Sequence, residues 1–382
     1  MPRVFGSTEL IEDVHRRELC IGCGACVELC PYFKNYNGKT AQLFPCTLPQ
    51  GRCFAYCPKA EVDLNEIYQY VWHMPYDGSA LGPYRTILAA RAGGQMAPGH
   101  YQGGGTASAL MAFAMKSGRV KAAALTRREA LTPVPEVVTD WTQVARLAGS
   151  KFMAAPTLAG LNAAVRQGQR DLGVVGTPCQ MLAVAQMRMN PLGKPEHEVP
   201  VALTVGLFCN WSLDTRQLID LLVQKVDIAD IRGMDIPPPP ANTLVLETSR
   251  GPVEVSLNDI KPLIPHTCFI CLDMTAELAD VSVGMYEGRK GWNTLIVRSD
   301  RGAQLVDDAV AAGFLETEAM PDESVTHLSK AAVAKKERSL RMLIQRQLIH
   351  TSNQTKDGTD DGPRPALRMS QEVVEKILPP KR

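Results

Sequence analysis

The stretch "CIGCGACVELCP", residues 20–31, places four thiols at C-x2-C-x2-C-x3-C ahead of a proline. This is the spacing of the bacterial ferredoxin run, in which three cysteines ligate one cubane and the fourth reaches a second. A further set, Cys46, Cys53 and Cys57, lies in "CTLPQGRCFAYCPK". Read back from Cys57-Pro58, the x3 step to Cys53 fits a second ferredoxin half. Gln50, however, stands where the next thiol belongs, and Cys46 lies one residue beyond its place. By ferredoxin logic Cys20, Cys23, Cys26 and Cys57 bind one 4Fe-4S cluster, while Cys30, Cys46 and Cys53 leave a second site with three thiolates. That site is open to a 3Fe-4S cluster, a 4Fe-4S cluster with an oxygen or nitrogen ligand, or no cluster, since free cysteine is often an ordinary core residue.

The remaining four of the eleven cysteines are Cys179 in "GTPCQ", Cys209 in "GLFCN", and Cys268 and Cys271 in "HTCFICLD". The first two each close an expected strand, where the loops of an α/β sheet gather around ligands. Four thiols from three loops could surround a zinc ion or a 4Fe-4S cluster, and the ferredoxin-like neighbour favours iron; core thiols are the plainer alternative. The seven histidines form no metal-binding pair, and neither a G-x-S-x-G elbow nor a P-loop is present. Redox chemistry alone has motifs behind it. No G-x-G-x-x-G unit with a downstream acidic residue marks a nicotinamide site, so the residues leave the electron carrier open.

A larger body must position these thiols. The 382 residues, 45% hydrophobic and 21% charged, suffice for two or three cores. A net charge of +1, with no basic patch interleaved with aromatics, gives no footprint for nucleic acid. The first twenty residues lack an apolar h-region and the longest apolar run, "ALMAFAM", is too short for a bilayer, so no membrane span is expected. Cysteines grouped as metal ligands fit a reducing cytoplasm.

"EVDLNEIYQYVW" reads as a connecting helix. After it, short apolar strands in "RTILAAR", "VKAAALT", "DLGVVGTP" and "VPVALTVGLFC" alternate with helical periodicity in "TASALMAFAMKSG", "PTLAGLNAAVRQG", "CQMLAVAQMRM" and "LDTRQLIDLLVQKV". Strand-like "NTLVLETS", "GPVEVSL", "DVSVGM" and "NTLIVRS" follow, then a charged helix over about 322–348 and a polar stretch, "TSNQTKDGTDDGPRP", expected to be a flexible tail. The expectation is an α/β or α+β chain in three parts: a ferredoxin-type segment over 1–62, a mixed α/β body over 63–320, and a helical C-terminal extension over 321–382. Gly103 to Gly105 precede a helix whose amides could receive a diphosphate. Asp273, Glu277 and Asp280 read as caps or salt-bridge partners rather than catalytic acids.

In order, "YQGGGTASALMAFAMKSG", "GSKFMAAPT", "GTPCQ", "GLFCNW", "CFICLDMTAELADVSVGMYEGRKGW" and "NTLIVRSDRG" resemble the beta subunits of coenzyme F420-reducing hydrogenase and of formate dehydrogenase, over roughly residues 85–315. The resemblance implies an oxidoreductase subunit holding FAD in a fold that is not Rossmann-like, with a 4Fe-4S cluster ligated by Cys179, Cys209, Cys268 and Cys271. It puts FAD contacts at Gln102, Gly103, Gly104, Gly105, Thr106, Ser150, Lys151, Thr177, Pro178, Gly291 and Trp292. It further implies hydride exchange with coenzyme F420 or NAD(P)H, and a partner such as a formate dehydrogenase, a hydrogenase or a heterodisulfide-reductase-like complex. Two other readings stay open: a free-standing flavin reductase fed by ferredoxin, and an electron-transfer protein with clusters and no flavin.

Overall fold

The computed structural model describes residues 4–97, 99, 101–237, 240–351 and 364–379. The apolar runs of the body form one eight-stranded sheet from β1 (Thr86–Ala92), β2 (Ala122–Glu129), β3 (Thr132–Val138), β4 (Leu172–Gly176), β5 (Val201–Leu207), β6 (Val281–Met285), β7 (Asn293–Val297) and β8 (Leu315–Ala319), in spatial order β8-β1-β7-β6-β5-β4-β2-β3. Strands β2, β4, β5 and β6 pair parallel. Strand β7 lies antiparallel between β6 and β1, while β8 and β3 add antiparallel edges. Strand β1 therefore points the same way as the parallel four, and five carboxyl ends share one edge. The inserted β7 separates this mixed order from that of a doubly wound Rossmann sheet.

Period-two alternation gives the sheet two buried faces. On β2, Ala123 and Leu125 face α2 (Thr106–Lys116) and α6 (Asp300–Ala311), whereas Ala122 and Ala124 face α3 (Thr157–Arg166) and α4 (Pro178–Met189). Helix α2 buries eight of its eleven residues, which explains why its sequence is apolar on nearly every side. A three-stranded antiparallel sheet, Ile231–Asp235, Thr243–Thr248 and Gly251–Ser256, packs with α5 (Thr215–Leu222) in a satellite core.

The cysteine-rich segment does not have a core to itself. Leu10, Val14, Leu19, Phe33, Phe54 and Tyr56 join Leu158 and Leu161 of α3, Met181 and Val184 of α4, and Leu340, Leu343 and Leu348 near the other end of the chain. The connecting helix forms as α1 (Leu64–Trp72), capped by the Asp63 carboxylate on the amides of Asn65 and Glu66.

The charged helix forms as α7 (Asp322–Gln345), and its buried residues are Ala332, Lys335, Lys336, Ser339, Leu340 and Leu343, a helical stripe carrying two lysines. The expected flexible tail falls largely on residues 352–363, outside the described residues. Beyond it Leu367–Arg368 pairs in parallel with both Ile349–His350 and Val62–Asp63. Helix α8 (Gln371–Ile377) then buries Val373, Val374 and Ile377 in the main core. Among the described residues no helix is long and apolar enough to cross a membrane.

Candidate iron-sulfur and cofactor site

All eleven cysteines are free; Cys26 interacts electrostatically with Cys20, Cys23, Cys53 and Cys57, Cys53 with Cys30 and Cys46, and Cys179, Cys209, Cys268 and Cys271 with one another. Cys20, Cys23 and Cys26 lie on a loop whose Gly22 and Gly24 sit at φ +64° and +86°. A Cβ on Gly24 would stand 2.6 Å from the Ala159 amide nitrogen, so only glycine allows the loop to press onto α3. The Leu158 amide donates to the Cys23 carbonyl at 3.1 Å. From α3 the buried Asn162 amide donates to the carbonyls of Gly24, Ala25 and Val27, the last two at 3.0 and 2.7 Å. The loop is thus held by the body, and Cys57 arrives from the turn after Arg52–Ala55.

Burial pushes the Cys57 thiol up to about 12, with Cys20 and Cys53 adding and Lys59 opposing. Burial likewise raises Cys26, helped by Cys20, Cys23 and Cys57. The second set adjoins the first: burial moves Cys53 to about 11, with Cys30 and Cys46 adding to the rise.

The third set lies at the carboxyl edge of the sheet. Thr177 closes β4 and forms a capping box with Gln180, and Cys179 occupies the first turn of α4. Cys209 follows β5 and its amide donates to the Met274 carbonyl at 2.9 Å. Cys268 and Cys271 come from the turn at His266–Ile270. Burial raises Cys179 to about 11, with Cys271 and Cys268 contributing; burial also raises Cys209, against the pull of Lys335. Donors stand near these sulfurs: the Ser212 amide is 3.5 Å from Cys268 Sγ, and Thr177 Oγ1 is 3.2 Å from Cys179 Sγ. The Cys179 charge also reaches Cys23, so the first and third sets are neighbours.

Buried thiols whose thiolate forms would repel one another stay protonated when alone and suit a cationic centre, which deprotonates and holds them. Four thiolates on one zinc would stand about 4 Å apart. Among the described residues no three His, Cys, Asp or Glu side chains close on such a single-ion site.

Two buried lysines that the sequence reading passed over bear on these sets. Lys59 is 7% exposed, and its charge acts on both Cys57 and Cys179. Lys335 donates to the carbonyls of Cys209 and Asp273 at 2.6 and 2.7 Å. For Lys335 the signal was available: it continues, with Lys336, the Ala332-Ser339-Leu340-Leu343 stripe of the helix. The acidic trio is structural. The Asp273 carboxylate accepts from the amides of Thr275 and Glu277, Glu277 pairs with Lys336, and Asp280 accepts from Arg301, Ser299 and Thr204.

The residues expected around a flavin fall in two places. Gly103, Gly104 and Gly291 line an open cavity of about 560 Å³ together with Arg91, Ala92 and Tyr101, at the end of β1. That is the volume range of cofactor sites. Gly105 caps α2 at φ +74°. Two amides at the start of this helix, those of Gly104 and Thr106, already donate to Asn293 Oδ1 at 2.9 and 3.3 Å, so the glycines serve the close approach of the loop to β7. Thr106 Oγ1 is buried without a hydrogen-bond partner.

Gln102 bridges the Ser150 amide and Asp235 at 2.6 and 2.5 Å. Lys151 Nζ donates to the carbonyls of Leu147, Ala148 and Gly149, and burial, aided by Arg128, pulls it down to about 8. Trp292 is only 7% exposed, with the guanidiniums of Arg289 and Arg91 over its ring at 3.9 and 4.7 Å. Thr177 and Pro178 stand with Cys179 rather than at the glycine-lined cavity.

A ferredoxin-like cysteine loop docked onto an α/β sheet whose carboxyl edge carries further thiols defines an iron-sulfur oxidoreductase subunit. Comparison with known proteins specifies it. Residues 87–162 and 169–323 match the models for the N-terminal and C-terminal parts of the coenzyme F420 hydrogenase/dehydrogenase beta subunit, and residues 14–32 match the 4Fe-4S binding domain. The chain belongs to the coenzyme F420 hydrogenase/dehydrogenase beta-subunit family and carries a 4Fe-4S binding segment.

It is 29% identical to the coenzyme F420 hydrogenase subunit beta of Methanococcus voltae, over 70% of this chain and 96% of that one. It is 24% identical to the coenzyme F420-dependent sulfite reductase of Methanocaldococcus jannaschii, over 75% of this chain and 45% of that protein. Among solved structures it resembles a chain of the F420-reducing [NiFe] hydrogenase complex from Methanosarcina barkeri, with TM-score 0.64 and 26% identity over 70% of this chain and 94% of that one.

Proposed function

We propose that this chain is a cytoplasmic flavoprotein subunit that passes electrons between a hydride-carrying coenzyme and a redox partner subunit. The observation that carries the reading is that the thiol set of Cys179, Cys209, Cys268 and Cys271 and the glycine-lined cavity past β1 both stand at the carboxyl edge of the one sheet. Cys179, Cys209, Cys268 and Cys271 ligate the cluster of the body; Cys20, Cys23, Cys26 and Cys57 ligate a second 4Fe-4S cluster. Cys30, Cys46 and Cys53 hold a third centre with three thiolates, a 3Fe-4S cluster or a 4Fe-4S cluster completed by a non-cysteine ligand. FAD, which converts between two-electron and one-electron chemistry, supplies the step from hydride to cluster when bound.

Backbone groups of Gly103, Gly104 and Gly291 shape the FAD cavity and Arg91 supplies a cation, while Thr106 starts the helix that follows the glycines. The Ser150 amide is bonded to Gln102, which stands in the chain between Tyr101 and Gly103 of the cavity lining, and Lys151 follows Ser150. Gly105 holds the turn, and Trp292 carries the guanidinium of Arg91, which lines the cavity, together with that of Arg289. Thr177 and Pro178 fix Cys179. The names of the relatives favour coenzyme F420 over NAD(P)H as the carrier. The partner, of the hydrogenase or formate dehydrogenase kind, docks at the outermost thiol set, where the exposed side chains of Leu43, Phe44 and Leu48 flank Cys46.

Anaerobic purification with FAD, iron and sulfide measured on one sample, then titration with reduced F420 and with NADH, tests this. About one FAD and eight or more irons per chain, bleached by reduced F420, is the expected result. Iron without flavin sinks the hydride relay and leaves a multi-cluster electron-transfer protein.

A further inference from the structure

Lys335 stands on α7, past residue 323 where the family match ends. It is 2% exposed, yet both acceptors of its ammonium are backbone carbonyls, Cys209 O and Asp273 O. Its neighbour Lys336, equally buried, has the Glu277 carboxylate at 2.5 Å. A buried ammonium with no carboxylate in direct contact is costly unless other negative charge stands close by. The groups whose charge reaches Lys335 are the sulfurs of Cys271, Cys209 and Cys268 and the carboxylate of Asp273, itself engaged by two amides. Lys335 therefore sits where a net-negative thiolate centre would compensate it, and it joins the loop after β5 to the loop after Cys271.

We propose that Lys335 is a positioning residue that sets the reduction potential of the iron-sulfur centre held by Cys179, Cys209, Cys268 and Cys271, its buried ammonium favouring the reduced form. The inference rests on those four cysteines being cluster ligands. Reduction by one electron breaks no bond and adds one negative charge to a centre already carrying four thiolates; in a titration a low-potential viologen supplies the electron. In a low-dielectric interior a fixed cation nearby stabilises the more negative state, and charge near a cluster is among the levers that set its potential. Helix α7 thus brings to the centre a charge from beyond the segment that matches the family.

The test is a mediated redox titration of the anaerobically purified full chain, followed by electron paramagnetic resonance with iron counted in parallel. Cys209→Ala serves as the control. If it removes no cluster signal, the reading of the ligands fails, and this inference with it. If it removes one signal, Lys335→Met is expected to keep that signal and lower its reduced-to-oxidised ratio at fixed potential at least tenfold, a downward shift of about 59 mV for a one-electron couple. An unchanged midpoint with iron retained overturns the inference while leaving the ligands standing. Should the methionine variant lose the signal, Lys335→Arg decides: the signal kept at the wild-type midpoint sustains the charge role, and any other result overturns it.

Discussion

Replacing Lys336 with methionine isolates the energetics of the buried ion pair beneath the third thiol set. Lys336 and Glu277 have side chains only 2% and 3% exposed and meet at 2.5 Å. Tyr68 donates its hydroxyl to the other carboxylate oxygen, and Tyr76 lies 3.3 Å from the ammonium. Burial pushes the Glu277 carboxyl up, and Lys336 is the main group opposing it; the ammonium is held protonated by Glu277 beside it. Lys336→Met leaves the Tyr68 bond and removes the cation. Two unit charges about 4 Å apart at an effective dielectric near 20 interact by about 4 kcal/mol, and breaking a buried pair from one side costs about 3–5 kcal/mol.

The expected loss of stability is therefore about 4 kcal/mol at pH 8. It shrinks as the pH falls, because the orphaned carboxyl binds a proton more tightly in the folded chain than its ordinary value near 4.3 allows in the unfolded one. Lys336→Met combined with Glu277→Leu removes both charges and is expected to recover most of the loss. Anaerobic urea denaturation followed by tryptophan fluorescence at pH 8 and pH 6 reads all three. A single variant within about 1 kcal/mol of wild type, or a double variant no better than the single, refutes the account.

Asn162→Ala strips the donor from three buried carbonyls of the cysteine loop, at about 1–3 kcal/mol, and should speed iron loss from the N-terminal clusters to a chelator; an unaltered rate argues against α3 as their clamp. Lys151 is a cation below about pH 8, so FAD affinity should weaken as pH rises through that value; Lys151→Met should bind more weakly and show no such inflection by equilibrium dialysis. Phe44→Glu with Leu48→Glu places charges on the exposed surface beside Cys46 and should slow electron delivery to the partner while flavin bleaching by reduced F420 stays unchanged in stopped flow.

Local pattern carried much of this structure. The strands at 86–92, 172–176 and 201–207, and the helices between them, are visible because burial on both faces demands apolar runs while amphipathic helices repeat at 3.6 residues. The three cysteine sets were legible from spacing and from counting. What was not legible depends on pairing across the chain. Strand β3, "TPVPEVV", carries two prolines and lies at the sheet edge, where a missing amide costs no ladder bond. Strand β8, "LETEA", is too polar to announce a strand and forms on β1.

The amides of α2 looked available for a phosphate, but Asn293, nearly 190 residues away, takes two of them. The ring of Trp292, a flavin contact by resemblance, carries the guanidiniums of Arg289 and Arg91, whose positions no local rule foretells. The polar stretch near the end concealed a return: Leu367, Val373 and Ile377 come back to the core that Leu10 and Phe54 share.

That shared core has a kinetic corollary. A ferredoxin on a tether must diffuse and dock before each transfer, so its rate falls with solvent viscosity and with tether length. Here the segment bearing Cys20 to Cys57 is clasped from one side by α3 and from the other by strand pairs that join residues 62–63 to 367–368. The gap between Cys23 and Cys179 is therefore a built dimension of the molecule. On the cluster ligation proposed above, electrons passing between these two sets would meet the same distance at every turnover, and removing Leu367, Val373 and Ile377 would strip packing that the cysteine-bearing segment shares.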